Sequence, residues 1–310
     1  MLNILFSAKP ATWEAYQAPL ANALANAGLK TRIATDLPPE EVDYIVFAPN
    51  GPVTDFTPFT RVKAVMSLWA GVETVVGNKT LTQTLCRLVD DSLTQGMVEW
   101  VTGHVLRHHL GMDTHIHGQD GIWRDSSSPP LAADRPVTVL GIGALGTACA
   151  KALTALGFPV TGWSRNPKEV PGLRCLHGSD GLEAALTDAQ IVVLLLPQTE
   201  DTQNILNDRT LALLARGAFV INPGRGPLID DAALLRALDS GQVGHATLDV
   251  FRQEPLPQEH PFWAHPKVTV TPHIAATTRP QTASKIVAEN IARGESGQPF
   301  RYVVDRGAGY

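Results

Sequence analysis

Three polar side chains stand just past apolar, strand-length runs in the second half of the chain: Arg225 in "INPGRGPLID", Glu254 in "LDVFRQEPLP" and His273 in "TPHIAATTRP". Open α/β sheets bind ligands at the carboxyl ends of their strands, which makes all three candidate site positions. Singly, an Arg, a Glu or a His is usually a surface or satisfied polar group. Together they supply a guanidinium fork for an anion, a carboxylate and an imidazole. Reduction of a 2-oxo acid needs such a set: a cation for the carboxylate, and a proton donor beside the carbonyl that receives hydride. A carboxylate next to an imidazole favours the protonated ring, keeping that proton available.

A second group of residues points to a dinucleotide. "VLGIGALGTACAKAL" carries Gly141, Gly143 and Gly146 in G-x-G-x-x-G spacing, directly after a strand-like run, with Ala144 and Leu145 opening a helix. The first Gly permits the tight turn, the second lets a pyrophosphate approach the backbone, and the third lets helix and strand pack closely. The helix N-terminus adds N–H groups and positive dipole. After the next strand-like run, in "VTGWSRNPKEV", Ser164 and Arg165 occupy the place where an acidic residue would bind both ribose hydroxyls. Asp there would repel a 2′-phosphate, whereas Ser donates and Arg forks onto phosphate oxygens, so NADP(H) is favoured over NAD(H). Lys168 is a further candidate for that phosphate. The alternative for Arg165 and Lys168 is a pair of solvated surface charges.

The elements that must position these residues follow from the apolar pattern. From Arg135 onward, "PVTVLGI", "PVTGWS", "IVVLLLP", "AFVINPG", "ATLDVF" and "VTVTPH" read as strands bounded by Gly, Pro or Asn. Their continuous apolarity predicts a parallel sheet covered on both faces by crossover helices. Before this block, "NILFSA", "KTRIAT", "DYIVFAP", "KAVMSLWAG" and "TLCRLVD" predict a smaller α/β unit around a helix from Thr12 to Ala27. A helix from about Leu93 to His109 has Met97, Val101 and Val105 on one face. It is read as a linker and as the candidate contact of a dimer. A last helix, Gln281 to about Arg293, is expected to pack back on the first unit. The expected organisation is two Rossmann-like or flavodoxin-like α/β domains with parallel sheets and an interdomain cleft. Residues 1–92 with 280–310 would bind substrate and residues 93–279 the dinucleotide. "GQDGIWRDSSSPPLAADRP" between them reads as surface loop.

Composition narrows the partners. The chain has 310 residues, 44% hydrophobic and 18% charged, which is globular and long enough for two cores. Its net charge of −5, with no basic stripe, argues against nucleic acid. Three cysteines, Cys86, Cys149 and Cys175, match neither a disulfide framework nor a zinc site and suit a reducing cytoplasm. No signal-like N-terminus or membrane-length apolar run is evident, so export and a membrane are not expected. His104, His108, His109, His115 and His117 cluster in sequence, but they mix helix with loop and lack companion ligands, so no metal is expected.

The ordered set "GIGALG", "LLPQTEDTQNIL", "NPGRGPLID", "DVFRQEPLP" and "PFWAHPKVTVTPHIAA" resembles the D-isomer-specific 2-hydroxyacid dehydrogenase family across about Arg135 to Arg279. The short first domain, "VMSLWAGVE" and the Ser164–Arg165 pair resemble its glyoxylate/hydroxypyruvate reductase branch. The resemblance implies roles for individual residues. Arg225 would bind substrate carboxylate and carbonyl oxygen, Glu254 would pair with the imidazole, and His273 would be the general acid. Pro197 would line the cofactor site, and Ala70 and Gly71 would offer backbone N–H groups to the substrate carboxylate. Trp69 departs from the small residue usual there and either narrows the pocket or packs in the core. Arg279 either reaches substrate or forms a surface salt bridge. The implied protein is a homodimer that reduces a small 2-oxo acid with NADPH. The alternatives are an NAD-linked dehydrogenase of a larger D-2-hydroxy acid and a non-catalytic dinucleotide-sensing regulator.

Overall fold

The structure is a computed structural model and describes residues 1–123 and 128–307. It divides into two compact units, Met1–Leu93 with Thr277–Tyr310, and Thr94–Ala276.

The first unit is built on five parallel strands: β1 (Leu2–Ser7), β2 (Thr31–Ala34), β3 (Tyr44–Phe47), β4 (Ala64–Ser67) and β5 (Thr84–Cys86), in the order β2-β1-β3-β4-β5. The central strands β3 and β4 are buried at every residue, which is why they read as unbroken apolar runs. One face carries the helices Pro10–Asn26 and Pro280–Glu295, whose Leu20, Leu24, Val287 and Ile291 share a core with Phe6 and Val46. Phe56, Val72, Val75 and Leu81 fill the other face against Ile45 and Val65. Both helices start with Pro in the first turn, where its missing N–H costs no hydrogen bond.

The second unit has seven parallel strands: β6 (Val137–Leu140), β7 (Val160–Ser164), β8 (Arg174–His177), β9 (Ile191–Leu194), β10 (Ala218–Asn222), β11 (Val243–Leu248) and β12 (Val268–Val270). Their order is β12-β11-β10-β9-β6-β7-β8, so β6 lies between β7 and β9. Six of these strands coincide with the apolar runs. The seventh, β8, is the edge strand "RCLH", exposed at both ends, and it lacks the continuous apolarity that only a strand covered on both faces needs.

In the helix Asp91–His109 the apolar stripe itself faces inward and is not the surface of a dimer contact. Met97, Val101 and Val105 are buried in the unit's own core with Val137, Val139, Ile191 and Val193, so this stripe is already covered. His115 and His117 also differ from expectation, since they lie on the short helix Met112–His117 rather than a loop.

His108 belongs to the buried face. Its ring stacks on Phe219 at 4.7 Å, its Nε2 is 2.9 Å from Thr247 Oγ1, and its centroid is 5.1 Å from that of His245. Burial, reinforced by His245 and Arg107 against the opposing Asp113, pushes the His108 pKa down to about 3. Burial and Arg107 push His245 down to about 4. Below the unfolded value near 6.5 the unfolded chain takes up protons that the native rings refuse. Stability is therefore expected to fall as pH drops from about 6.5, and to stop falling on this account below the native values. Urea unfolding at pH 6.5 and 4.5 should show a loss of about 2 kcal/mol from His108 alone. His108→Gln should flatten that pH slope, and an unchanged slope would contradict the assignment.

Candidate active site

β10, β11 and β12 are adjacent and parallel, so the loops carrying Arg225, Glu254 and His273 leave the same edge of the sheet. Backbone hydrogen bonds tie the loops together. Asp249 N–H donates to the Asn222 carbonyl at 3.0 Å, and His273 N–H donates to the Asp249 carbonyl at 2.8 Å. The first loop is shaped by the buried Asn222: its Oδ1 accepts from Gly224 N–H at 3.1 Å and its Nδ2 donates to the Arg225 carbonyl at 2.9 Å. Gly226 follows Arg225 with its α-carbon against the backbone of Phe251 and Arg252, where a Cβ would collide. The Arg225 loop and the Glu254 loop are thus in direct backbone contact. The Arg225 guanidinium donates to the Gly224 carbonyl at 2.7 Å.

Glu254 and His273 meet. Glu254 Oε1 accepts from Phe251 N–H at 2.9 Å, which orients the carboxylate, and Oε2 lies 2.7 Å from His273 Nδ1. Nδ1 is committed to Glu254, so Nε2 is the nitrogen left to face a substrate, and the His273 side chain is half exposed.

Asp249, which the sequence reading passed over, holds the turn. It is fully buried, and its Oδ1 accepts from Thr271 Oγ1 at 2.6 Å and Ile274 N–H at 2.9 Å. Its Oδ2 accepts from Ala275 N–H at 2.8 Å. His273 lies in the left-handed region at φ 55°, uncommon for a non-glycine residue, and these bonds hold the backbone on both sides of it. The available signal was an Asp inside the apolar run "ATLDVF", since a buried carboxylate must be matched by donors.

The glycine loop suits a dinucleotide pyrophosphate. Gly141 has φ 101°, and a Cβ there would lie 2.6 Å from the Leu195 carbonyl oxygen. A Cβ on Gly146 would collide with the Gly141 carbonyl, so helix and loop pack as the third glycine permits. Gly143 is different: its missing Cβ faces open space. Gly143 is also the N-cap of the helix Ala144–Ala155 and supplies no side-chain cap, so the N–H groups of the first turn have no capping side chain from Gly143.

Around this loop, Lys168 is exposed and its Nζ donates to the Ile142 carbonyl, which holds the ammonium beside the loop. Arg165 donates to Asp201 at 3.0 Å. The Ser164 hydroxyl donates to the Asn166 carbonyl at 2.8 Å, so its proton is engaged and its oxygen is the part that offers an acceptor. Pro197 follows β9, and its carbonyl accepts from Thr202 Oγ1 at 2.7 Å.

In the first unit, "LWAG" leaves the end of β4. Trp69 N–H and carbonyl both engage Ser67 Oγ, at 3.0 and 3.1 Å, while its side chain stays out of the core at 40% exposure. The core-packing reading of Trp69 is therefore set aside. Ala70 and Gly71 are partly exposed beside it, and Val72 is buried. Arg279 is exposed at the N-cap of Pro280–Glu295. Among the described residues, no helix is long and apolar enough to cross a membrane.

Residues 102–275 match the family described as "D-isomer specific 2-hydroxyacid dehydrogenase, NAD binding domain". The chain is 42% identical over 258 residues to glyoxylate/hydroxypyruvate reductase A of Serratia proteamaculans, covering 81% of this chain and 82% of that protein. Among solved structures it is similar to a D-isomer specific 2-hydroxyacid dehydrogenase from Xanthobacter autotrophicus Py2 in complex with NADPH and MES (TM-score 0.92, 40% identity, 99% of both chains). It is also similar to an NADPH-dependent glyoxylate/hydroxypyruvate reductase from Sinorhizobium meliloti in complex with NADP and sulfate (TM-score 0.86, 37% identity, 100% of this chain and 99% of that one). With the match extending over more than half its length and the relatives over four-fifths, the chain belongs to the D-isomer specific 2-hydroxyacid dehydrogenase family.

Proposed function

We propose that this enzyme reduces a small 2-oxo acid, glyoxylate or hydroxypyruvate, to the 2-hydroxy acid, using NADPH in preference to NADH. The observation that carries the reaction is the 2.7 Å contact between Glu254 and His273 on loops tied to that of Arg225. A bound nicotinamide supplies the hydride to the carbonyl carbon. His273 Nε2 gives its proton to the carbonyl oxygen, and Glu254, on Nδ1, keeps the ring oriented. The Arg225 guanidinium binds the substrate carboxylate and offsets charge developing on the carbonyl oxygen. In the first unit, Trp69, Ala70, Gly71 and Arg279 are assigned to the substrate on the strength of the family resemblance.

Preference for NADPH rests on Arg165 and Lys168 near the glycine loop, with Ser164 in place of an acidic residue. The Serratia and Sinorhizobium relatives bear the glyoxylate/hydroxypyruvate reductase name, and the Xanthobacter and Sinorhizobium structures hold NADPH or NADP. A homodimer is proposed from the same resemblance. Leu110, Met112, Ile116, Ile122 and Trp123 give the second unit an exposed apolar surface suited to a second copy, and sedimentation of a monomer would remove that part. A cytoplasmic setting is proposed on the three unpaired cysteines, two of them buried.

Oxidation of NADPH and NADH, each with glyoxylate, hydroxypyruvate, pyruvate and a bulky aromatic 2-oxo acid, tests the reading. NADPH with the two small substrates should give the highest kcat/KM. Arg165→Ala should lower kcat/KM for NADPH while sparing NADH. A ratio unchanged by that substitution would refute the cofactor assignment.

A further inference from the structure

Arg165 directly follows β7, and Asp201 lies in the turn Glu200–Thr202 after β9. β6 runs between those two strands and leads straight into Gly141 and Gly143. Neighbouring strands lie about 4.8 Å apart, so the ends of β7 and β9 are about 10 Å from each other. The 3.0 Å contact joins Arg165, just past β7, to Asp201 on the segment after β9, the two strands that flank β6 and its glycine loop. The turn that presents Asp201 is well defined: Thr202 Oγ1 accepts from Thr199 N–H at 2.8 Å and donates to the Pro197 carbonyl at 2.7 Å. The partners themselves are open to solvent, with side chains 45% and 70% exposed. An exposed pair of this kind is cheaply exchanged for another anion.

We infer that Asp201 sets cofactor selectivity by competing with the 2′-phosphate of NADPH for Arg165. The inference rests on the reading of Arg165 as the 2′-phosphate residue. NADH carries no phosphate at that position, so its binding does not require the ion pair to exchange. NADPH binding requires Arg165 to leave Asp201. Asp201 thereby lowers affinity for NADPH more than for NADH and holds the preference below what Arg165 alone would confer. It acts through Arg165 rather than on the reacting atoms.

The test compares Kd for NADPH and NADH, read by fluorescence titration without substrate, and kcat/KM with each cofactor, in the native enzyme, Asp201→Asn, Asp201→Glu, Arg165→Ala and the Arg165→Ala/Asp201→Asn double variant, at low and high salt. Asp201→Asn should raise the NADPH-to-NADH ratio by about two- to five-fold, the range an exposed ion pair allows, chiefly through a lower KM for NADPH. The gain should shrink at high salt and vanish in the Arg165→Ala background. Asp201→Glu, which retains the charge, should stay near the native ratio. An unchanged or lower ratio in Asp201→Asn, or a gain that persists without Arg165, overturns the inference while leaving the cofactor reading intact. If Arg165→Ala itself leaves the ratio at the native value, the cofactor reading fails, and the inference with it.

Discussion

Replacing His273 with alanine is expected to lower kcat by about 10²- to 10⁴-fold, the contribution of a positioned general acid. NADPH affinity, read by fluorescence titration, should stay nearly constant, because the role proposed for His273 is toward the substrate carbonyl and its Nδ1 is occupied by Glu254. The backbone complicates the simplest version of this experiment. His273 sits at φ 55°, where alanine is strained, and loosening of the turn would mimic loss of the acid. His273→Asn separates the two effects, since Asn tolerates the left-handed region and carries no proton to transfer. If Asn loses turnover as deeply as Ala while thermal unfolding is unchanged, the imidazole is the proton donor. Parallel losses of turnover and cofactor affinity in both variants would indicate a structural role.

Arg225→Lys is expected to lower kcat/KM for a 2-oxo acid by about 10²-fold or more, despite keeping the positive charge. Hydrogen bonds to charged groups contribute about 1.5–3 kcal/mol each, and a planar fork can place two on one carboxylate where an ammonium is a point charge. Arg225 is also pre-aimed, by the Asn222 bond to its carbonyl and by its own bond to Gly224. A lysine ammonium would have to find its position without that second anchor. The control is a substrate that lacks the carboxylate, such as an aldehyde. Its already low kcat/KM should fall much less in the variant, and an equal loss with both substrates would show that Arg225 shapes the loop rather than binding the acid.

Much of the second unit is legible along the chain because its strands are buried on both faces and so appear as continuous apolar runs, from "PVTVLGI" to "VTVTPH". The glycine motif is equally local. Gly141 needs a positive φ, a property of its own backbone, and Gly146 a missing Cβ against the Gly141 carbonyl five residues earlier. Legibility fails where exposure or partnership decides. The edge strand β8 has one neighbour and no obligation to be apolar, and "RCLH" gives no strand signal. Met97, Val101 and Val105 announce an apolar helix face but not what covers it, and the cover is the unit's own sheet. His108 looks like one of several clustered histidines until its ring is found stacked on Phe219, far away in the chain.

By itself, then, the sequence determined the two parallel α/β units, the dinucleotide loop and the residue types of the site, because each depends on short-range pattern: the period of burial, the room beside a glycine, the chemistry of a side chain at a strand end. Only the tertiary structure decided which of those residues meet. Strand order places β10, β11 and β12 side by side, so Glu254 reaches His273 and buried Asp249 clamps the turn that carries it. The same order sets β6 between β7 and β9, which brings Asp201 to Arg165. Spacing along a chain carries no record of that order, because crossover connections let strands distant in sequence become neighbours in the sheet.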